Sequence, residues 1–272
     1  MKFSHLPLLI EPSELENHLE DSNLFIIDLC KTESYAQAHI PGAVHVEYQQ
    51  IISANPPVMG LVPDADHLSR LFSELGIKPE HHVIAYDDEG GGKAARFLYT
   101  LDIIKHACYS LLNGGIYSWV NENHRVENTP QTRPASQYSV QIDNNPIATK
   151  MLILETYASP DSILLDARSQ AEFTGAKAFA QKAGHIPGAI NIDWLELIDQ
   201  TNNMRLKTSS ELHALLSSSN ITEDKTVITY CQTHHRSALM YFALKLLGFT
   251  HIKGYPGSWS DWGNSPDTPV EI

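Results

Sequence analysis

The two halves of the chain carry the same landmarks in the same order and at nearly constant spacing. Each half contains the pentapeptide HIPGA, at residues 39–43 and again at residues 185–189. The other paired landmarks are Asp28 and Asp166, Asp87 and Cys231, and Trp119 and Trp259. Because the spacing is far longer than the roughly 20–50 residues of a solenoid repeat, the pattern predicts a duplicated domain.

A polar segment separates the two copies. Residues 127–149 contain three prolines and lack a sustained apolar period, which is the composition of a linker. We therefore predict a first domain over residues 1–126, a linker over 127–149 and a second domain over 150–272. The length of 272 residues agrees with two domains, since a typical domain has roughly 100–200 residues.

Short apolar runs alternate with helical segments in both halves. In the second half, ILLDA at 163–167 is typical of a buried strand, and SALMYFALKLL at 237–247 is typical of a buried helix. SSELHALL at 209–216 has the pattern of an amphipathic helix with Ser209 or Ser210 as its N-cap. This alternation predicts the α/β class, with a mainly parallel sheet flanked by helices in each of two tandem domains.

The acidic composition limits the classes of partner. The chain has 19 lysines and arginines against 32 aspartates and glutamates, a formal net charge of −13 at pH 7. Such a surface is a poor match for nucleic acid or an anionic membrane, so we expect neither as a partner. It also repels small anions on average, and a site for an anionic substrate must therefore be built locally.

The chain has three cysteines, Cys30, Cys108 and Cys231, which form neither a disulfide framework nor a CxxC pair. This usage is typical of a reducing compartment. The N-terminal apolar run is short and is broken by proline and glutamate, so it lacks the pattern of a signal peptide. No apolar stretch approaches the ~18 residues that span a bilayer. These observations predict a cytoplasmic protein.

Cys231 lies where a strand is expected to end and a helix to begin. In parallel α/β sheets, ligands bind beyond the carboxyl ends of the strands. A tight loop that leads into a helix directs backbone N–H groups inward, and together with the helix dipole these groups stabilise a thiolate. His234, His235 and Arg236 add donors and positive charge. The sequence therefore predicts a nucleophilic Cys231 in a local anion site.

The other candidate ligands and thiols have simpler interpretations. Cys30 and Cys108 lack a basic loop and are expected to be small core residues. The adjacent His234 and His235 are compatible with a metal site, but neighbouring side chains need not converge. No second ligand cluster has zinc-like spacing, so no metal is predicted.

Four short motifs in the second half carry a family resemblance. They are DAR at 166–168, GHIPGA at 184–189, CQTHHR at 231–236 and GSWSDWG at 257–263. Together with the duplication, they resemble the tandem-domain rhodaneses, a family of thiosulfate sulfurtransferases, and the CQTHHR loop is similar to that of some bacterial members. The resemblance implies two rhodanese-like domains, of which the second is catalytic. Asp87, which stands in the first copy where Cys231 stands in the second, makes the first an inactive copy.

The resemblance implies a double-displacement mechanism. The Cys231 thiolate takes the outer sulfur of thiosulfate, a small anionic donor, and becomes a persulfide while sulfite leaves. Cyanide, a thiol or an acceptor protein then removes that sulfur, and neither a metal nor an organic cofactor is needed. Because adjacent side chains in a tight loop point in different directions, only one histidine is expected to face the pocket. The implied substrate contacts are Gln232, Thr233, His234, His235 and Arg236.

The sequence also bears on the choice of sulfur donor. Mercaptopyruvate sulfurtransferases resemble this chain too, but they usually carry two arginines that hold the substrate carboxylate. Here the first of those positions is Glu172 and the second falls near Gln181. A glutamate that faces a carboxylate is repulsive, which favours thiosulfate and keeps mercaptopyruvate as the alternative donor.

Two other functions remain open. A related fold carries the C-x5-R phosphate loop of cysteine phosphatases and arsenate reductases, whereas Cys231 and Arg236 have C-x4-R spacing and leave a smaller cradle. A non-catalytic binding module with the same fold is the other alternative, and the intact Cys231 with its basic loop speaks against it.

Several further side chains have a structural as well as a functional interpretation. Arg168 has no counterpart in the first copy, so it is a candidate for either a structural ion pair or the pocket. Trp194 is a candidate for either the pocket or the core. His39 and His185 occur in both copies, only one of which has the nucleophile, and are therefore expected to be structural.

Overall fold

The computed structural model describes residues 6–272. The first five residues, which belong to the stretch that lacks a signal-peptide pattern, lie outside the described part. The strands of the N-terminal half are β1 (Leu9–Ile10), β2 (Leu24–Asp28), β3 (Val44–His45), β4 (Ser53–Asn55), β5 (Val58–Leu61), β6 (His82–Tyr86) and β7 (Tyr109–Leu112). Its helices are α1 (Pro12–Glu16), α2 (Thr32–Gln37), α3 (Ala65–Leu75), α4 (Gly92–Ile103) and α5 (Gly115–Asn121).

The C-terminal half has the same alternation of strands and helices. Its strands are β8 (Ser162–Asp166), β9 (Ile190–Asn191), β10 (Ile198–Asp199), β11 (Arg205–Leu206), β12 (Thr226–Tyr230) and β13 (Ile252–Gly254). Its helices are α6 (Lys150–Thr156), α7 (Gln170–Phe173), α8 (Ser209–Ser218), α9 (Arg236–Leu246) and α10 (Ser258–Trp262). Short 3-10 turns occupy Tyr48–Ile51 and Trp194–Leu197. Within residues 6–272, no helix is long and apolar enough to cross a membrane.

Each half builds a parallel sheet. The strand order is β1-β7-β6-β2-β3 in the first sheet, and every neighbouring pair in it is parallel. The order is β13-β12-β8-β9 in the second sheet, again with only parallel neighbours. Parallel neighbours need long crossover connections, which the intervening helices supply. The predicted α/β class, with a parallel sheet and flanking helices in each half, is confirmed.

The chain folds into two compact units that do not follow a single cut in the sequence. One unit comprises the chain up to Ile51 together with Pro63–Asp143 and Asp199–Leu206. The other comprises Ile52–Val62, Asn144–Ile198 and Lys207–Ile272. The antiparallel pair of β4 and β5 therefore belongs to the same unit as the second sheet, although it lies within the first repeat. The boundaries predicted near residues 126 and 150 place Ile52–Val62 in the first domain and Asp199–Leu206 in the second. In the structure, each of these two segments belongs to the other unit.

Helix α9 is buried almost all round, as its sequence predicts. Every residue from Ser237 to Leu244 is buried, and the helix packs against β12 and β13. The core of this unit also contains Tyr230, Trp259 and Trp262. Burial of a large apolar side chain stabilises the fold by roughly 1.5–3 kcal/mol, so the strand and helix on either side of Cys231 are firmly held.

The N-cap of α8 lies one residue before the predicted position. Thr208 is the N-cap, not Ser209 or Ser210, and its hydroxyl accepts a hydrogen bond from the Glu211 N–H. In return, the Glu211 carboxylate accepts from the Thr208 N–H at 2.9 Å. This reciprocal capping box satisfies two backbone donors, which a serine one position later cannot do with the same glutamate. The predicted N-cap was therefore wrong.

His39 and His185 hold equivalent turns in the two copies. Nδ1 of His39 lies 2.7 Å from the Tyr35 carbonyl oxygen, and Nδ1 of His185 lies 2.8 Å from the Phe173 carbonyl oxygen. Both histidines are buried, and each forms an isolated antiparallel bridge with a residue near the end of its copy. The structural interpretation accounts for all of these contacts.

Candidate active site

Cys231 begins a five-residue loop between β12 and α9. Strand β12 lies between β13 and β8, so the loop stands at the carboxyl edge of the sheet, where parallel sheets bind ligands. Cys231 forms no disulfide, and the residue is 1% exposed. Its position after the strand is the one that the sequence predicts.

The start of α10 holds the loop in place through backbone contacts. The Cys231 N–H donates to Ser258 Oγ at 3.3 Å, and the Trp259 N–H donates to the Cys231 carbonyl at 2.9 Å. One residue further on, the Ser260 N–H donates to the Gln232 carbonyl at 3.0 Å. The GSWSDWG motif thus fixes the main chain on both sides of the thiol.

The Cys231 thiol has a pKa below its ordinary value. Burial alone would raise this pKa, but the Arg236 guanidinium and the Ser237 hydroxyl both stabilise the thiolate. Backbone hydrogen bonds from Ser237 and Thr233 act in the same direction. Since the thiolate is the nucleophilic form of cysteine, the loop favours the reactive species.

Ser237 is a functional candidate that the sequence did not single out. It lies in the first turn of α9, and the residue is fully buried. Its hydroxyl lies 2.7 Å from Nδ1 of His234 and also hydrogen-bonds the sulfur of Cys231. The signal that could have found it is its place directly after Arg236, where the first copy has Lys93.

The substitution Ser237→Ala is expected to raise the pKa of Cys231 by about one unit. A hydrogen bond to a charged group contributes roughly 1.5–3 kcal/mol, and one pKa unit corresponds to about 1.4 kcal/mol. The acidic limb of the pH profile of kcat/KM should therefore move to higher pH. Ser209→Ala, at an exposed position of α8, is the control. A limb that stays in place in the Ser237 variant would show that this hydroxyl does not stabilise the thiolate.

The two loop histidines point to different sides. His234 is fully buried, has a left-handed φ of 54°, and directs Nδ1 to Ser237. His235 is the N-cap residue of α9 and is only partly buried. Its ring centroid lies 6.3 Å from that of Trp194, which is also partly buried. The structure therefore buries His234 against Ser237, whereas the partly buried His235 lies near Trp194.

Arg236 forms a bidentate ion pair with Glu172. Nη1 donates to Oε2 at 2.7 Å and Nη2 donates to Oε1 at 2.9 Å. Burial acts to raise the pKa of Glu172, but Arg236 and the cap contacts from Ser169 lower it to about 2. Glu172 therefore faces a cation of its own chain. Gln181, which lies near the position of the second carboxylate-binding arginine of mercaptopyruvate sulfurtransferases, is exposed. Long-range pairing of this kind leaves no signal in local sequence.

Strand β5 forms part of the wall around the loop. The Met59 N–H donates to Ser260 Oγ at 2.9 Å. Gly60 has a φ of +74°, and a Cβ on it would lie 2.1 Å from the carbonyl oxygen of Thr233. On another side, Gln232 Nε2 donates to the Phe179 carbonyl at 3.4 Å. A segment from the first repeat thus contacts the loop that carries the nucleophile.

Arg168 is tied into a buried ion pair. Its Nη2 donates to Asp166 Oδ2 at 2.6 Å and to the Gly184 carbonyl at 2.8 Å. Its guanidinium lies 4.4 Å from the ring centroid of Trp259, and the residue is 2% exposed. Asp166 Oδ1 also accepts from the backbone N–H of Arg168 at 2.9 Å. Of the two roles expected for Arg168, the geometry favours the structural one.

The corresponding loop of the first unit is occupied by its own carboxylate. Strand β6 ends at Tyr86 and α4 begins at Gly92, so that loop also has five residues. Asp87 Oδ1 accepts from the N–H groups of Glu89 at 3.0 Å and Gly91 at 2.8 Å, and Oδ2 accepts from Ala94 N–H at 2.9 Å. These backbone donors act to lower the pKa of Asp87, although burial and Glu89 raise that pKa above its ordinary value. A loop of this type thus directs backbone N–H groups at an oxygen anion.

The other two cysteines lack such an environment. Burial and the neighbouring Asp28 raise the pKa of Cys30 far above its ordinary value, which disfavours a thiolate. Cys108 is partly buried. Within residues 6–272, no three histidine, cysteine, aspartate or glutamate side chains are grouped so that they could hold a metal ion.

Comparison with known proteins places the chain in a family. The model of the rhodanese-like domain matches it twice, over residues 11–122 and 152–265. The chain belongs to the rhodanese family. Both sheets of this rhodanese therefore belong to domains of one type, as the internal repeat predicts.

Two curated relatives match this rhodanese over nearly its whole length. The thiosulfate sulfurtransferase of Pseudomonas aeruginosa is 42% identical over 270 residues, and that of Azotobacter vinelandii is 41% identical. In both cases the match covers 99% of this chain and 99% of the relative. The crystal structure of a 3-mercaptopyruvate sulfotransferase from Escherichia coli is also similar, with 25% identity and a TM-score of 0.85. That match covers 93% of this rhodanese and 99% of the bacterial enzyme.

Proposed function

We propose that the protein is a thiosulfate sulfurtransferase in which Cys231 carries the transferred sulfur as a persulfide. The observation that carries this proposal is the buried Cys231 thiol at the start of its loop, whose pKa is lowered by Arg236, the Ser237 hydroxyl and backbone donors. Relatives that share more than two fifths of the residues over nearly the whole chain are thiosulfate sulfurtransferases. The chemistry of the site and the names of the relatives support the same activity.

The first half-reaction forms one sulfur–sulfur bond and breaks another. The Cys231 thiolate attacks the outer sulfur of thiosulfate, and the bond between the two thiosulfate sulfurs breaks. Its electron pair leaves with sulfite, so the dianion is released and the cysteine persulfide keeps one negative charge. In the second half-reaction, cyanide attacks the outer sulfur of the persulfide, thiocyanate leaves, and the thiolate is restored. A thiol or an acceptor protein takes the same place as cyanide.

Backbone dipoles contribute to the attraction for the anion beside the paired Arg236. Arg236 is neutralised by Glu172 and Arg168 is neutralised by Asp166, so neither contributes a full unpaired charge. Supporting evidence for the backbone comes from the first unit, where three N–H groups hold the Asp87 carboxylate. We assign the N–H groups after Cys231 the same task toward the persulfide, in the manner of an oxyanion hole.

Thiosulfate is expected to be a better donor than 3-mercaptopyruvate by at least about tenfold in kcat/KM. A ketoacid donor presents a carboxylate, and both terminal nitrogens of Arg236 that could hold it in a fork are already bound to Glu172. The 3-mercaptopyruvate enzyme of Escherichia coli shares the fold, so that substrate is the appropriate comparison. Thiocyanate formation from each donor measures the ratio, and equal or reversed values would contradict the choice of thiosulfate.

The phosphatase alternative is disfavoured by the same ion pair. A phosphate loop uses its arginine to hold two phosphate oxygens, whereas here both terminal nitrogens of Arg236 are bound to the Glu172 carboxylate. Turnover of para-nitrophenyl phosphate that depends on Cys231, without sulfur transfer, would overturn the proposal. The cytoplasmic location that the sparse cysteines suggest is also part of the proposal.

A further inference from the structure

Glu172 is buried beside the loop, and its carboxylate is also held by the start of its own helix. The residue is 4% exposed, and its carboxylate belongs to a capping box at the start of α7. Ser169 Oγ donates to Oε2 at 2.8 Å, and the Ser169 N–H donates to the same oxygen at 3.2 Å. The carboxylate is thus fixed by its own helix and offers both oxygens to Arg236.

This arrangement joins the ends of two neighbouring strands. Ser169 follows β8 by three residues, and Arg236 follows the loop after β12, with which β8 pairs along its whole length. Among residues 232–236, only the side chain of Arg236 carries a positive charge at neutral pH when both histidines are neutral. Both terminal nitrogens of its guanidinium are bound to Glu172, so the charge that Arg236 presents to the thiolate is offset by that carboxylate.

We propose that Glu172 is a positioning residue that holds the Arg236 guanidinium beside Cys231 and balances its charge, so that a dianionic donor binds without trapping the dianionic product. The part of this proposal that concerns turnover rests on the proposed sulfur transfer. An unbalanced arginine would bind thiosulfate and sulfite more tightly, and would stabilise the attacking Cys231 thiolate further. A thiolate of lower pKa is a weaker nucleophile toward the outer sulfur of thiosulfate.

The neighbouring ionisable groups have partners of their own. Asp166 and Arg168, at the end of β8, form an ion pair, although Asp166 also interacts electrostatically with Arg236 and Arg168 with Glu172. His234 directs Nδ1 to a serine, and His235 lies toward Trp194. Substitutions at Glu172 and Arg236 therefore change one pair while these groups stay in place.

The substitution Glu172→Gln tests the role of the charge. Glutamine keeps one oxygen that accepts from Arg236, so the guanidinium stays near the thiol while its charge is no longer balanced. The pKa of Cys231 should fall by about one unit, in the range typical of a nearby charge. KM for thiosulfate and kcat should both fall by about fivefold. An unbalanced arginine binds thiosulfate more tightly, and it also slows the release of sulfite.

The thiol pKa is measured without any substrate. The ultraviolet absorbance of the thiolate is followed as a function of pH in the full-length protein, and the signal of the Cys231→Ser variant is subtracted. This titration can fail independently of the sulfur transfer. A wild-type protein that gains no sulfur from thiosulfate would refute the sulfur transfer, but the thiol pKa would still test the role of Glu172.

The matched control is Glu211→Gln. Glu211 forms the same kind of capping box, with Thr208 at the start of α8, and its exchange removes one carboxylate from an equivalent cap. No change in the pKa of Cys231 is expected there. If Glu211→Gln shifts the pKa as much as Glu172→Gln does, the effect belongs to net charge or helix capping and the proposal is wrong.

A second pair of variants keeps the proposal testable if Glu172→Gln does not fold. If Glu172 balances the charge of Arg236, the single variant Arg236→Gln should raise the pKa of Cys231. The double variant that also carries Glu172→Gln should have a lower pKa than this single variant. The four proteins then rank, from lowest to highest pKa, as Glu172→Gln, wild type, the double variant and Arg236→Gln. A pKa that rises or stays unchanged in Glu172→Gln, or a double variant with the same pKa as Arg236→Gln, would overturn the proposal.

Discussion

The substitution Cys231→Ala is expected to reduce thiosulfate-dependent thiocyanate formation by roughly 10⁴-fold or more, to the level of the uncatalysed reaction. The loop can still bind an anion through its backbone, but it then contains no sulfur to attack the donor. The alanine side chain is smaller than the thiol that it replaces, so the 1%-exposed site can hold it without strain. The steady-state rate with saturating thiosulfate and cyanide is the measurement.

Cys30→Ala and Cys108→Ala are the controls for this loss. Cys30 is buried in the other unit and its pKa is raised by burial, so its removal should change stability but not the rate per folded molecule. Cys108 is partly buried and lies outside the catalytic loop. Loss of turnover in either control, or activity retained in Cys231→Ala, would place the nucleophile elsewhere.

The substitution Gly60→Ala is expected to lower kcat/KM by about 100-fold. The added methyl group would lie 2.1 Å from the Thr233 carbonyl oxygen and 2.8 Å from its carbonyl carbon, so β5 or the catalytic loop has to move. A displacement of about 1 Å at a reacting centre costs a factor of this size. The φ of +74° adds backbone strain of roughly 1–3 kcal/mol, which lowers the thermal unfolding midpoint as well.

Gly188→Ala separates loop displacement from backbone strain. Gly188 has the same φ of +74° and lies in the same unit, but a Cβ there would meet nothing within 4 Å. It should therefore lose similar stability and keep its kcat/KM. If the two variants lose the same activity, or if Gly60→Ala is fully active, contact between β5 and the loop does not support catalysis.

The local parts of the site could be predicted from the sequence. A strand that ends at Tyr230, a polar loop and an apolar helix follow directly from residue type, because each depends on neighbours within a few positions. The duplication added the comparison of Asp87 with Cys231, which distinguishes the two copies without any structure. Even here the cap of α8 was misplaced, since Thr208 and Glu211 together form a better cap than a single serine.

The long-range parts of the site could not be predicted. Glu172 and Arg236 are far apart in sequence, and no local pattern shows that their side chains meet. Gly60 lies in the first repeat, yet the segment Ile52–Val62 belongs to the unit of the second sheet. Ser237 looked like an ordinary residue of a buried helix. Each of these contacts depends on how separate chain segments pack, which residue types alone do not specify.

The most direct test is the intact mass of the protein after exposure to thiosulfate. The wild-type protein is expected to gain the mass of one sulfur atom on Cys231, to lose it when cyanide is added, and to release one thiocyanate in the same step. Cys231→Ala should gain nothing, whereas Cys108→Ala should behave as wild type. A wild-type protein that gains no sulfur, or a gain that persists in Cys231→Ala, would contradict a Cys231 persulfide as the carrier of the transferred sulfur.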